Sequence, residues 1–224
     1  MQKRLNLLQS VWLLYERWTA AYDWACRRGC AWCCTCNVTL TTLEAFWIFN
    51  RLPSPQLSRL TAKLRHGKTP QRFRPRLTTN GLAELCAAGG EPPADAEAIT
   101  ISPCPLLEDD LCPIYPYRPF ACRCLNSTRD CGASGQAAMD PFLVTLNHVT
   151  QQIIEDIDHG GCFGNLADVL ECLASGTNRE AYRKGLLAPA AATLVPNRPL
   201  KILLVPLEHR RNIRIYLQEL DALR

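Results

Sequence analysis

The first part of the chain alternates apolar and polar residues with the period of an α-helix. Between Lys3 and Trp24, apolar and amphipathic side chains recur every three or four positions, a spacing that places them on one helix face. The sequence therefore predicts an amphipathic helix over about residues 3–24 that docks on a core through its aromatic residues. The side chains on this face are Leu5, Leu8, Trp12, Tyr15, Thr19 and Tyr22.

Capping residues predict the starts of later helices. Thr41 followed by Glu44 matches the capping-box pattern and opens a helix that reaches Leu52. Asp140 precedes a proline and a long apolar stripe that continues to Gly160, which is the pattern of an N-cap residue followed by proline at the first helical position. Further helices are predicted over 56–66 and 81–88, from Asn165 through Leu173, and after a second capping-box pattern at Thr177.

The C-terminal residues are predicted to form a tail. Residues 188–199 have the composition of a linker rich in alanine and proline, and Lys201–Pro206 resembles a short apolar strand. Such a strand needs a partner, which the sequence places at Ile99–Ile101, in another protein, or on the helices. A final helix from about Leu207 is a candidate surface for a protein partner. We therefore divide the chain into a domain over 1–187 and a tail over 188–224.

Five prolines between residues 103 and 119 exclude a long helix or a central strand from this part of the chain. Its backbone is therefore expected to be irregular. Together with the predicted helices, this pattern indicates a mainly α, single helical domain with an irregular loop rich in proline and cysteine, and with little strand.

The cysteine content changes the picture. The chain of 224 residues contains 13 cysteines, a lower density than small secreted disulfide scaffolds have. The sequence shows neither a signal peptide nor an apolar stretch long enough to span a membrane. These features predict a cytoplasmic protein without membrane contact, in which clustered thiols bind metal or perform redox chemistry.

The formal charge of +4 is too small to indicate a polyanionic partner. The densest basic run is formed by Arg72, Arg74 and Arg76. Aromatic residues are nearly absent from it, so a solvated surface is favoured over a nucleic-acid site.

Four thiols lie close together at Cys26, Cys30, Cys33 and Cys34. In a helix, these positions would form a sulfur-lined stripe about 100° wide on one face. A hydrophobic core can also use cysteine as a small apolar residue, but the spacing favours metal binding. Two adjacent thiols cannot point at the same position from an undistorted helix, so one of the pair Cys33 and Cys34 is expected to bridge or to lie behind the ligands.

A second group of thiols lies in and after the proline-rich loop. Thiolates at Cys104, Cys112 and Cys122 would supply, through a bound metal, the free energy that orders an irregular segment. Cysteine thiolates suit zinc (Zn²⁺) and iron (Fe), including a 4Fe–4S cluster, and sequence alone does not separate these metals. Eight thiolates would form two four-ligand sites or one shared site; six suggest a bridged site or an exchanged ligand.

The two groups together resemble the YkgJ-like cysteine-cluster family, which is described as a zinc- or iron-chelating domain with a CxxCxxCC pattern. The resemblance rests on Cys30-x2-Cys33-Cys34 and on the Cys-Pro, Arg-Pro and Cys-Arg motifs at 104–105, 112–113, 118–119 and 122–123. The spacing from Cys26 to Cys30 is one residue longer than in the family pattern. The resemblance places Cys131 above Cys36 and Cys124 as a ligand and matches Glu44 to an acidic position, which is either a helix cap or a ligand.

Three hypotheses of function follow. The first is a metal-binding protein whose ligands are contributed by both thiol groups. The second is an iron–sulfur enzyme of electron or methyl transfer, because the resemblance extends to a domain of protein lysine methylases. The third is a structural zinc adaptor module. Arg118 is either a charge partner of the thiolates or a surface residue, and Tyr115 either covers the site or hydrogen-bonds to it. The candidate ligands are Cys26, Cys30, Cys33, Cys34, Cys104, Cys112, Cys122 and Cys131.

Overall fold

The computed structural model describes residues 1–66, 71–93, 100–188 and 193–223. Helices dominate these residues, and the predicted mainly α fold is confirmed. None of the helices described has the length and apolar character needed to cross a bilayer. In chain order, the elements are α1 (Gln2–Thr19), β1 (Thr39–Thr41), α2 (Thr42–Arg51), α3 (Ser54–His66), α4 (Thr79–Ala87), a 3₁₀ turn (Tyr115–Tyr117), α5 (Phe120–Cys124), α6 (Cys131–Ser134), α7 (Pro141–Ile157), β2 (Cys162–Asn165), α8 (Leu166–Ala174), α9 (Gly176–Arg183), β3 (Leu194–Pro196), a second 3₁₀ turn (Leu207–His209) and α10 (Arg210–Asp221).

The predicted caps are present at three helix starts. Thr41 and Glu44 form a complete capping box on α2, which satisfies backbone donors that the first turn leaves without an intrahelical acceptor. Asp140 caps α7 by accepting from Phe142 N at 2.8 Å, and Asn165 caps α8 in the same way. The cap predicted at Thr177 is wrong, because α9 begins earlier and is capped by Ser175.

The helical arrangement considered for the four early thiols is not present. Helix α1 ends at Thr19 rather than near Trp24, and residues 26–34 form a series of turns. Gly29 lies at φ = +84°, a conformation that a right-handed helix does not contain. The backbone of this segment instead bonds to the second cysteine region.

A small antiparallel sheet joins distant parts of the chain and was not predicted. β2 lies in the centre, with Leu40 of β1 paired to Gly164 and Phe163 paired to Val195 of β3. Gly164 is needed at this crossing because a Cβ there would lie 2.6 Å from a methyl group of Leu194.

The strand predicted at Lys201–Pro206 is wrong, since β3 lies earlier, within the predicted linker. Residues 201–206 instead lie against α7, which was one of the predicted alternatives. Gln152 donates to the carbonyl oxygen of Ile202 at 2.8 Å, and Leu203 and Val205 pack against the core. Another predicted partner of this run was Ile99–Ile101, of which Ile99 lies outside the described residues. Lys68 and residues 189–192 also lie outside them.

Helix α7 is the central element of the core. Its buried stripe includes Leu146, Val149 and Ile153, and burial of each such side chain contributes about 1.5–3 kcal/mol. α1 packs on it, with the hydroxyl of Tyr15 donating to Asn147 Oδ1 at 2.7 Å. The predicted aromatic docking of α1 is therefore present.

The C-terminal helix α10 packs on the same core. Ile213, Tyr216 and Leu220 are buried, and the ring of Tyr216 lies edge-on to Trp18 with centroids 5.4 Å apart. Glu219 forms an ion pair with Arg17. The buried face of α10 is thus occupied within the chain.

The basic run is solvated only in part: Arg74 and Arg76 are exposed, whereas Arg72 is not. Arg72 is buried and forms an ion pair with Asp168, and Arg74 Nε lies 3.1 Å from the same carboxylate. The charges therefore hold the segment after α3 onto α8.

Asp158 connects five parts of the chain from a fully buried position. Its carboxylate accepts from Thr42 Oγ1 at 2.7 Å, from the Tyr182 hydroxyl at 2.5 Å and from Asn197 Nδ2 at 2.9 Å. Arg4 supplies the opposite charge at 2.5 Å. Burial raises the pKa of this carboxyl, and these donors oppose the rise.

Candidate metal centre

Backbone hydrogen bonds hold the two cysteine regions side by side. Cys104 N donates to Cys34 O and Cys36 N donates to Ser102 O, both at 2.8 Å. Between these bonds, Thr35 and Pro103 form an isolated antiparallel bridge. The expected meeting of the early and late cysteines is therefore present in the backbone.

A second junction lies nine residues earlier in the first region, at Ala25. Ala25 N donates to Ser127 O at 2.9 Å, and Ser127 N donates to the Cys26 sulfur at 3.3 Å. Arg27 lies 3.7 Å from Asp130. These contacts bring Cys26 close to the turn that carries Cys131.

Four thiols form what we call the inner group: Cys34, Cys104, Cys112 and Cys122. The last three pack against the hydrophobic core. Burial raises the pKa of Cys122, and the thiols of Cys104 and Cys112 add to the rise. Burial, with a contribution from Cys112, raises the pKa of Cys104 to about 11. These four side chains therefore share one half-buried region.

The proline-rich loop holds its cysteines through local turns. Leu107 N donates to Cys104 O and Tyr115 N donates to Cys112 O, each at 3.1 Å. Asp109 and Asp110 adopt left-handed φ values of 47° and 60° at the tip between them. The loop is thus irregular, as its prolines predict, and short-range backbone hydrogen bonds help to order it.

Glu44 positions the helix that carries Cys122. Its Oε2 accepts from Thr41 N at 2.9 Å, and its Oε1 accepts from Phe120 N at 2.6 Å. Burial raises the pKa of this carboxyl, and the same hydrogen bonds oppose the rise. The cap interpretation of Glu44 is confirmed, and the carboxylate also fixes the start of α5.

Three other thiols, Cys26, Cys30 and Cys131, form what we call the outer group. They line one open cavity of about 720 Å³. Trp32, which is 60% exposed, crosses α6 so closely that a Cβ at Gly132 would lie 2.9 Å from its indole nitrogen. The cavity is also lined by Arg27, Arg28 and Arg129.

Sequence analysis singled out the three cysteines of this cavity but not the arginines that line it with them. The signal was the placement of arginine beside cysteine in both regions, at Arg27–Arg28 and at Arg129. The cavity itself depends on the Ser127 junction, which has no sequence signature.

Comparison with protein-family models, curated proteins and solved structures finds no match to this chain. The resemblance to the cysteine-cluster family thus stays a prediction, and the site is interpreted from its own chemistry.

Cys33 lies between the two groups. A hydrogen bond with the Cys34 thiol and burial raise the pKa of Cys33, while the same bond lowers the pKa of Cys34. The Cys33 thiol also raises the pKa of Cys26 and that of Cys122. Its sulfur lies 3.7 Å from Leu125 O, on the chain that leads from α5 to the outer group.

Arg118 and Tyr115 lie beside the inner group. The guanidinium carbon is 3.8 Å from the centre of the Tyr115 ring, and its charge lowers the pKa of Cys33 and Cys112 against the effect of burial. This placement agrees with the charge-partner interpretation of Arg118. Tyr115 is 51% exposed, so its ring covers that side of the inner group only in part.

The remaining cysteines have other surroundings. Cys36 and Cys124 are buried, with sulfurs 3.4 Å from Thr100 O and 3.5 Å from Ala121 O. Cys162 lies in the core and Cys172 packs against it. The sequence pattern of α4 predicts a core position for Cys86, but this residue is half-buried and lies outside the core cluster.

All 13 cysteines are free thiols. Within the described ranges, no three histidine, cysteine, aspartate or glutamate side chains are arranged to hold a metal ion. The thiols are neighbours, and rotation of their side chains is needed to aim them at a common centre. As donors, clustered cysteines fit Zn²⁺ and iron–sulfur clusters.

Proposed function

We propose that this chain is a cytoplasmic metal-binding protein that holds zinc, iron or an iron–sulfur cluster through thiolates of both cysteine regions. The observation that carries the proposal is the antiparallel junction at Cys34 and Cys104, where two Cys-bearing segments are bonded along their backbones. Such a junction brings ligands from distant parts of the chain together, so that less of the free energy of metal binding is spent on ordering the chain.

Charge supports the same proposal. Each thiolate of the inner group would repel the others in a region shielded from water. A bound cation removes this repulsion and replaces the thiol protons. Arg118 supplies one positive charge beside the group, which offsets only part of the charge of four thiolates.

Replacing Cys112 with serine is expected to remove bound metal from the inner group and to lower the midpoint of thermal unfolding. Serine keeps the size of the side chain but is a poor ligand for zinc or iron. Anaerobic purification, elemental analysis and absorption spectra measure the metal content and its type. Cys86→Ser is the matched control, since Cys86 lies outside both groups.

The proposal is contradicted if the wild-type protein, purified anaerobically or reconstituted with Zn²⁺ and Fe²⁺, carries no metal. It is also contradicted if Cys112→Ser and Cys86→Ser contain the same amount of metal as the wild type.

The cavity beside the outer group favours a second candidate, an iron–sulfur enzyme of electron or methyl transfer. A volume of about 720 Å³ lined by thiols and arginines is the size of a small-molecule site. This candidate predicts a brown protein with a reversible redox wave. A colourless, zinc-loaded protein without such a wave would exclude it and leave the binding function, including a structural zinc module.

A further inference from the structure

The candidate thiols lie in two different environments. Cys104, Cys112 and Cys122 pack against the hydrophobic core. Cys26, Cys30 and Cys131 line an open cavity. No inner-group cysteine is among the described residues that line this cavity. A single centre that uses all these sulfurs would have to span both environments.

The adjacent cysteines link the two environments. The carbonyl of Cys34 accepts from Cys104 N at 2.8 Å, which holds Cys34 beside the proline-rich loop. The sulfur of Cys33 lies 3.7 Å from Leu125 O, two residues before the Ser127 junction with Cys26. Cys34 therefore adjoins the inner group, whereas Cys33 adjoins both groups, because its thiol also contacts that of Cys34.

We propose that the chain holds two metal centres, a core-facing centre at the inner group and an exchangeable centre at the outer group, with Cys33 as the fourth ligand of the outer centre. The inference rests on the proposed metal binding. Four sulfurs in each set match the coordination number of zinc and of iron–sulfur clusters.

The two centres differ in how a competing ligand reaches them. The outer centre faces solvent through the cavity, so a chelator approaches its metal directly. The inner thiols are half-buried between the proline-rich loop and the core, so fuller access to their metal requires local opening of the loop, which costs free energy. Metal release from the inner group is therefore expected to be slower by about tenfold or more, which corresponds to an opening cost of about 1.4 kcal/mol or more.

The test uses the full chain reconstituted with Zn²⁺ alone and mixed with an excess of the chromogenic chelator 4-(2-pyridylazo)resorcinol. The expected result is two zinc ions per chain, released in a fast and a slow phase of equal amplitude. Cys30→Ser and Cys131→Ser should remove the fast phase and leave one zinc ion. Cys104→Ser and Cys112→Ser should remove the slow phase, and the control Cys86→Ser should keep both.

Circular dichroism and the unfolding midpoint of each variant identify any that fails to fold; two variants per group keep the test decisive. One zinc ion per chain that is lost in both sets of variants would overturn the two-centre inference and leave the proposed function standing. Release of two ions in a single phase would overturn the difference in access. A wild-type chain that binds no zinc or iron would overturn the proposed function itself.

Discussion

Replacing Asp158 with asparagine is expected to lower the free energy of unfolding by about 3–5 kcal/mol. The amide retains one acceptor oxygen and turns an N–H₂ group toward Thr42, Tyr182 or Asn197, each of which donates to the carboxylate. It also leaves the charge of Arg4 without its partner. Because the position is fully buried, water cannot replace these contacts.

Urea unfolding at 25 °C, with the same metal content in each sample, measures this loss. Asp156→Asn is the matched control, since Asp156 is half-buried two residues earlier and its side chain accepts from Leu200 N at 2.9 Å. The control substitution should lower the free energy of unfolding by about 1 kcal/mol. Equal losses in the two variants would show that Asp158 is not the central contact of the fold.

Replacing Glu44 with glutamine is expected to destabilise the fold by about 2–3 kcal/mol and to speed metal release from the inner group. One carboxylate oxygen of Glu44 accepts a hydrogen bond from Thr41 N, and the other accepts from Phe120 N at 2.6 Å. Glutamine keeps one of these acceptors and points a donor at the other N–H, which leaves a buried donor without an acceptor. The start of α5 then shifts, and Cys122 shifts with it.

Chelator competition and urea unfolding together test this role of Glu44. Asp140→Asn is the control: Asp140 caps α7 from an exposed position, and asparagine is an equally good cap. The control should change neither stability nor release. If the Glu44→Gln chain is destabilised but releases inner-group metal at the wild-type rate, Glu44 acts only as a helix cap and does not position Cys122.

The helix starts were predictable because their signals are local. Thr41 with Glu44 and Asp140 with Pro141 place a polar acceptor beside backbone donors within a few residues. The end of α1 was not predictable in this way. The apolar period continues past Thr19, and only the turn at Gly29 and the junction with Ser127 show that the chain has left the helix.

The sheet could not be predicted, because its strands are three to four residues long. A strand this short contains one or two alternations, too few to distinguish it from a loop. The apolar run at Lys201–Pro206 resembles a strand more than β3 does. It lies instead on α7, where the carbonyl oxygen of Ile202 accepts a hydrogen bond from the Gln152 side chain. Tertiary packing, not propensity, decided the outcome.

The meeting of the two cysteine regions followed from the sequence, whereas their division into two groups did not. Spacing places Cys26, Cys30 and Cys34 in one cluster. The structure separates them by what each one faces, which depends on contacts with residues about one hundred positions away, such as Ser127. No local pattern carries that information.

The sheet has a consequence for how the chain acquires its shape. β1 at Thr39–Thr41 pairs with β2 more than one hundred residues later, and β3 follows near Pro196. Contacts of such long range form slowly, because loop closure must precede them. A ribosome delivers the N-terminal part first, so the thiols of residues 26–34 emerge while their structural neighbours have yet to be synthesised. A newly made chain thus carries the thiols of residues 26–34 without these neighbours until at least Ser127 has been synthesised.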